Sequence, residues 1–245
     1  FWLMGPFIYL IERDPADLWL TIIGLLFLYR CFLKKDWSWK NKLWFKSAIL
    51  FWIVCLLTSI VGADPLFSFQ QSFVWIRFPI YAIAAQVWLG KDRDVRILML
   101  ISLFYGMILM CFILLAEVLI SPSDRLSWPY GDLVPGGYLA KVCLPIFLIL
   151  IVIGVNQPNK KGLTAILVSS FTMIMSILTG ERVNILIKLC SSFFASFVFK
   201  PNFKIILILL IFQFLSISTV FTISADFKYR YTQNFISKLN IYSDE

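Results

Sequence analysis

The residues with the clearest capacity for chemistry are Thr179-Gly180-Glu181-Arg182, a short polar turn between the apolar runs 163–178 and 183–199. Arg182 stands at the start of a predicted helix, where unpaired backbone N–H groups and the helix dipole favour phosphate. A guanidinium at that place can hold a phosphate through two parallel hydrogen bonds. The sequence therefore predicts a phosphate-binding role for Arg182. The alternative is that Arg182 extends to lipid headgroups while Glu181 complements the helix dipole.

Arg77 and Lys188 are two further candidates among the basic residues that lie inside apolar runs. Arg77 is about four residues into the run 73–90, and we expect it to face the helical bundle or a wet cavity, or else to extend to the interface. Lys188 is one to two turns deeper than Arg182. It needs a partner, and Glu117 is a candidate for a structural ion pair with it.

Two polar segments follow apolar runs and carry aromatic and basic residues. The segment 121–137 is rich in turn-forming residues and contains Trp128 and Tyr130, which either stack on a sugar ring or anchor the chain at the interface. The segment 226–238 places Arg230 just outside the membrane, where it contacts an anionic substrate or the lipid surface.

Composition restricts the elements that position these residues to membrane helices. The 245-residue chain is 60% hydrophobic, with a mean hydropathy of +0.85, and several runs approach the ~20 residues that cross a bilayer. The chain has no histidine, which excludes Ser-His, Cys-His and His-metal chemistry within these residues. The net charge of +8 follows the positive-inside pattern rather than forming a basic face, so we expect no nucleic-acid partner.

The distribution of lysine and arginine predicts the topology. The basic loops at 34–46, 91–96, 160–161 and 200–204 alternate with the loops at 12–16, 63–72, 121–137, 179–182 and 224–245. The first set is predicted to be cytoplasmic and the second external. We expect an all-α, polytopic transmembrane bundle that forms one domain over 1–245, with seven complete spans plus a truncated first span. Residues 1–11 are too short to span, so we expect a fragment truncated at both ends, with 224–245 beginning a larger external loop.

In this layout the chain resembles the O-antigen ligase and O-antigen polymerase superfamily. The similarity rests on three features. The external loop 121–137 opens with Arg125 and ends in Gly136-Gly137, and a final span leads to an external segment with Tyr229-Arg230-Tyr231. The third and most specific feature is the block Leu178-Thr179-Gly180-Glu181-Arg182-Val183-Asn184, which is close to the family's small-Gly-x-Arg turn.

The resemblance implies a function on the periplasmic side of a bacterial inner membrane. Members of the family transfer a glycan from an undecaprenyl-pyrophosphate carrier, and external arginines bind the pyrophosphate without a nucleotide, a cofactor or an obligatory metal. By resemblance, Arg182 binds the pyrophosphate and Arg230 is a further candidate, while topology adds Arg77 and Arg125. The acceptor is lipid A-core for a ligase and another lipid-linked glycan for a polymerase. The family's catalytic histidine is expected beyond Glu245, so we expect the fragment alone to be inactive.

Two functions of other classes remain open. A transporter or flippase for lipid-linked glycans would favour ionisable groups near the bilayer midplane and broken helices. A membrane scaffold would leave the external arginines dispensable.

Overall fold

The computed structural model describes residues 2–11, 13–62, 64–120, 126–129, 134–157, 159–180, 182–199 and 203–223. In that part of the chain the regular structure is helical throughout and contains no strand, which confirms the all-α prediction. The α-helices, in chain order, are α1 (Gly5–Ile8), α2 (Arg13–Lys34), α3 (Leu43–Ser59), α4 (Pro65–Val74), α5 (Arg77–Ala84), α6 (Arg93–Ile120), α7 (Val134–Gly137), α8 (Leu144–Asn156), α9 (Lys160–Leu178), α10 (Arg182–Phe199) and α11 (Phe203–Ile223).

Several of these helices have the length and apolarity of membrane spans. Within the described residues, Asp14–Lys34, Arg93–Ile120 and Lys160–Leu178 qualify singly, and the bent pair Val134–Val142 and Leu144–Asn156 qualifies as a fourth. Three shorter apolar helices are Leu43–Ser59, Val183–Phe199 and Ile206–Val220. The helices are therefore compatible with a membrane protein. The lengths of these helices do not confirm the predicted seven complete spans. The loops predicted from the sequence also separate eight apolar runs after residues 1–11, which is one run more than the seven predicted spans.

The region 63–90 differs most from the sequence-based prediction. Residues 63–72 were expected to form an external loop, but α4 begins at Pro65, because the Asp64 carboxylate caps the helix by accepting a hydrogen bond from the Phe67 N–H over 3.2 Å. The run 73–90 is not one helix either. It is interrupted between Val74 and Arg77, and Pro79, which has no N–H and is tolerated only near a helix start, lies in the first turn of α5.

Other predicted loops also contain helix, and two of them do so at a proline. Within the predicted loop 12–16, α2 begins at Arg13, and within the predicted loop 121–137, residues Val134–Gly137 form α7. Pro15 and Pro135 each lie in the first turn of a helix, where the missing N–H has no intrahelical partner to lose.

The chain divides into two compact units, residues 1–100 and 101–245. In the first unit α2 packs on α5, and α3 packs on α4. Its core is aromatic: the ring centroids of Trp2 and Trp19 lie 6.2 Å apart, and those of Trp39 and Phe45 lie 5.0 Å apart. Trp39 is buried here, with its indole N–H 3.2 Å from the Cys31 sulfur.

In the second unit α9 is central. It packs against α8, α10 and α11, and α8 also packs against α10. Between α7 and α8 the backbone forms a π-helical segment, Tyr138–Val142, and the two parts of this helix are bent by 51°. Pro145, at the start of α8, cannot donate to the preceding turn, so the helix breaks at this point.

Candidate functional site

The Gly-Glu-Arg turn is confirmed as the junction between two helices. Gly180 adopts a φ of 76°, its N–H donates to the Ile177 carbonyl over 2.9 Å, and α10 begins two residues later at Arg182. A left-handed residue that ends a helix is most often glycine, because a side chain there costs conformational energy. The backbone therefore presents the N-terminus of an 18-residue helix at the place where the sequence predicted a phosphate contact.

The loop after α6 is bound to this turn. The Leu126 N–H donates to the Leu178 carbonyl over 3.1 Å, next to the end of α9. The carboxylate of Glu117, which is 2% exposed, accepts hydrogen bonds from the N–H groups of Ser127 and Trp128, each at 2.9 Å from Oε2. These bonds fix residues 126–128 beside the turn and leave the Trp128 side chain 37% exposed.

A second hydrogen bond connects the far end of the same loop to α10. The Asn184 side-chain amide donates to the Gly136 carbonyl over 3.1 Å, and Asn184 is 1% exposed. Residues from both ends of the 121–137 segment are therefore attached to the 178–184 region. The 121–137 segment and the turn at 179–182, which the sequence identified as separate features, therefore belong to one site.

Part of the predicted site lies outside the described residues. These residues are Glu181, Arg125, Tyr130 and Arg230, together with the side chain of Arg182. The structure thus gives the backbone position of Arg182 and the surroundings of its helix start.

Lys188 is the one fully buried cation among the described side chains, with 0% exposure. Its ammonium group donates to the Thr172 carbonyl of α9 over 3.0 Å and lies 5.3 Å from the centroid of the Phe147 ring. The expected ion pair with Glu117 does not form, because Glu117 binds backbone N–H groups of residues 127 and 128 instead. The prediction that Lys188 faces protein is confirmed.

Buried polar side chains lie one turn before and one turn after Lys188 on α10. Along α10, Asn184, Lys188 and Ser192 recur every four residues, which places them on one helix face. The Ser192 hydroxyl donates to the Lys188 carbonyl over 2.9 Å and accepts a hydrogen bond from the Gln213 amide of α11. This row was not among the sequence-based predictions, although its spacing of four residues is visible in the sequence.

Several oxygens in the same interior have no hydrogen-bond partner among the described residues. They are the side-chain oxygens of Ser170, Ser176, Asn184 and Gln213. A buried polar atom without a partner costs free energy, so such atoms concentrate where a protein binds water or a ligand. The interior of the second unit therefore contains a group of buried polar side chains beside its apolar clusters.

Arg77 belongs to a separate site in the first unit. Its Nη2 atom lies 2.6 Å from Asp17 Oδ2 of α2, and the two side chains are 18% and 26% exposed. The prediction that Arg77 faces the helical bundle is confirmed. Its guanidinium is held by a carboxylate, which the sequence analysis did not identify.

No metal site is formed by the described residues, since no group of three or more His, Cys, Asp or Glu side chains converges among them. Comparison of the chain with protein-family models, with characterised proteins and with solved structures finds no match.

Proposed function

We propose that this protein is a multi-pass glycosyltransferase of the O-antigen ligase type in a bacterial inner membrane, with at least the seven complete spans expected from the sequence. It transfers a glycan from an undecaprenyl-pyrophosphate carrier to a lipid A-core acceptor on the external side. One observation carries the proposal. The α10 helix starts at Arg182, two residues after the left-handed Gly180, and the 121–137 segment is bonded to residues on both sides of that start.

The proposed chemistry needs positive charge at the membrane boundary. The helix start supplies unpaired N–H groups and the positive end of the helix dipole, and Arg182 adds a guanidinium. Negative charge accumulates on the pyrophosphate as it leaves the sugar, so fixed donors lower the barrier by stabilising the leaving group. Arg125 and Arg230 are further candidate contacts, whereas the Arg77 guanidinium is already held by Asp17.

The test is substitution of Arg182 in the protein at its native length, assayed in cells that lack the chromosomal copy. We expect Arg182→Ala to abolish surface glycan transfer and Arg182→Lys to restore part of it, since lysine has the charge but not the planar fork. Arg96→Ala, which removes an exposed arginine from a predicted cytoplasmic turn, is the matched control and should retain transfer. Wild-type transfer by Arg182→Ala would remove the main support for an enzyme.

The acceptor separates a ligase from a polymerase. A ligase that loses Arg182 leaves lipid A-core unsubstituted while the lipid-linked polymer accumulates. A repeat-unit polymerase with the same substitution leaves lipid A-core carrying at most a single unit. The product pattern on a gel therefore distinguishes the two members of this class.

A second candidate function is transport of a lipid-linked glycan. It is favoured by the buried Lys188, which contacts Phe147 of α8 next to the 51° break between α7 and α8. Broken helices beside an ionisable group line substrate pathways in many transporters. In proteoliposomes with a fluorescent lipid-linked oligosaccharide, a transporter moves the donor between leaflets without acceptor. A transferase consumes the donor only when acceptor is added.

A further inference from the structure

An open groove in the first unit combines an apolar floor with two lysines at one end. Its volume is about 430 Å³, and it lies between α2, α3 and the start of α5. Leu28, Ile49, Ile53 and Ile80 line its length, and Lys40 and Lys46 line its mouth. Such a lining fits an amphiphile with an anionic end, rather than a polar solute.

The groove has the depth of one membrane leaflet. From Phe45 to Ile53, α3 rises by roughly 12 Å at 1.5 Å per residue. Half of a typical hydrocarbon core is about 15 Å. Lys40 and Lys46 lie at the end of the groove that meets the loop between α2 and α3, which places them at the level of lipid headgroups.

The lysine at the mouth is oriented by its neighbours. The Lys40 ammonium lies 3.9 Å from the centroid of the Trp37 ring, and such a contact holds a cation over an aromatic face. Trp39, beside it, is buried and donates its indole N–H to the Cys31 sulfur. The single carboxylate of this loop, Asp36, accepts a hydrogen bond from the Ser38 hydroxyl over 2.7 Å and forms no ion pair with the described side chains of Lys40 or Lys46.

The start of α3 adds a further attraction for an anion. Its N-cap residue, Lys42, makes no side-chain cap, and its first turn contains no acidic residue. The positive end of the helix dipole is therefore uncompensated next to Lys46. A comparable groove of about 440 Å³ near the start of α9 lacks this property, because Asn159 caps that helix by accepting from the N–H groups of Lys161 and Gly162.

We propose that this groove binds one acidic phospholipid, with an acyl chain against α3 and α5 and the headgroup phosphate between Lys40, Lys46 and the start of α3. The site is independent of glycan transfer, since none of its residues belongs to the Arg182 region. It gives the protein a preference for anionic over zwitterionic lipid.

The experiment is native mass spectrometry of the purified protein with dioleoylphosphatidylglycerol or dioleoylphosphatidylcholine. We expect one phosphatidylglycerol molecule to be retained at higher collision energy than any phosphatidylcholine. In the variant Lys40→Gln/Lys46→Gln the binding constant for phosphatidylglycerol should fall about 25-fold, since each lysine near a headgroup contributes about fivefold. Lys34→Gln/Lys35→Gln removes the same charge from the end of α2, at positions that do not line the groove, and should bind as the wild type.

A third variant tests the apolar part without changing the charge. Ile49→Trp fills the groove, and we expect it to abolish retention while both lysines remain. Equal retention of the two lipids, or equal losses in the two double-lysine variants, would show that only a diffuse surface charge attracts lipid. Capture of a second copy of the chain in place of lipid would assign the groove to a dimer interface. Each of these outcomes overturns the proposal, and a thermal midpoint matching the wild type in phosphatidylcholine excludes misfolding of the variants.

Discussion

The side-chain amide of Asn184 donates a hydrogen bond to the backbone carbonyl of Gly136 over 3.1 Å. This bond joins the first turn of α10 to α7, at the end of the 121–137 segment. Together with the bond from the Leu126 N–H to the Leu178 carbonyl at the end of α9, it attaches the segment at two points on either side of the turn that precedes Arg182.

Replacing Asn184 with Asp should detach the segment. The carboxylate has no hydrogen to donate and repels the Gly136 carbonyl, so we expect the bond to be lost and the free energy of unfolding to fall by about 1–3 kcal/mol. Limited proteolysis should then cut between residues 121 and 137 faster than in the wild type. Asn184→Gln keeps the donor on a longer side chain, and we expect the protease to cleave this variant at an intermediate rate. Equal cleavage rates in all three proteins would show that this bond does not hold the segment.

Gly180 should accept few other residues. Its φ of 76° lies in the left-handed region, where a residue with a Cβ costs roughly 1–2 kcal/mol. We expect Gly180→Ala to lower the thermal midpoint in detergent, and Gly180→Asn to lower it less, because asparagine adopts this conformation more readily. Gly137→Ala is the control, since a Cβ there meets no atom within 4 Å. If Gly180→Ala has the same thermal midpoint as the control, a side chain at position 180 costs no conformational energy and the prediction is wrong.

The sequence identified the helix start at Arg182 correctly because its signals were local. A glycine in the left-handed conformation and a change from apolar to charged residues mark the turn within four positions. The same reasoning failed at 63–90. There Asp64 and Pro65 start α4 inside the predicted loop, and the helix breaks between Val74 and Arg77, but the continuous apolar character of 73–90 predicted one unbroken run.

Contacts between residues that are far apart in the sequence could not be predicted either. Nothing local to Lys188 predicts that its partner is the Thr172 carbonyl, because a backbone oxygen carries no sequence signature. Arg77 and Asp17 are 60 residues apart, so their pairing depends on how α5 packs against α2. The sequence could indicate that these charges must face protein, since lipid-facing charge is costly, but it could not name the facing atoms.

Lys188 should be more important for function than for stability. Lys188→Met keeps the volume and the contact with Phe147 while removing a buried charge, so we expect the thermal midpoint to stay equal or rise. We expect the variant to lose glycan transfer or transport, because ionisable groups in membrane helices are usually kept for function. Leu186→Met, at a position of the same helix that is 63% exposed, is the matched control. A fully active Lys188→Met protein would make Lys188 a dispensable structural residue.

The Arg77–Asp17 pair should show energetic coupling. We expect Asp17→Asn and Arg77→Gln each to destabilise the protein, and the double variant to be less destabilised than the sum by about 1 kcal/mol. The pair is partly buried, so the coupling should persist at high salt better than that of an exposed pair. The measurement is a double-mutant cycle of unfolding free energies in detergent at low and high salt. Additive effects would mean that the short contact contributes no net stability.

The orientation in the membrane is the final prediction, and the proposed site depends on it. The positive-inside rule places Lys91 and Lys160 on the cytoplasmic side and the residues around Trp128 on the external side. In a background with all five native cysteines replaced, a membrane-impermeant maleimide should label Trp128→Cys in intact cells. It should label Lys91→Cys and Lys160→Cys only after permeabilisation, since these positions are exposed on the protein and need only reagent access. Labelling of Lys160→Cys in intact cells would place the start of α10 on the cytoplasmic side, where no lipid-pyrophosphate glycan donor for external transfer can reach Arg182.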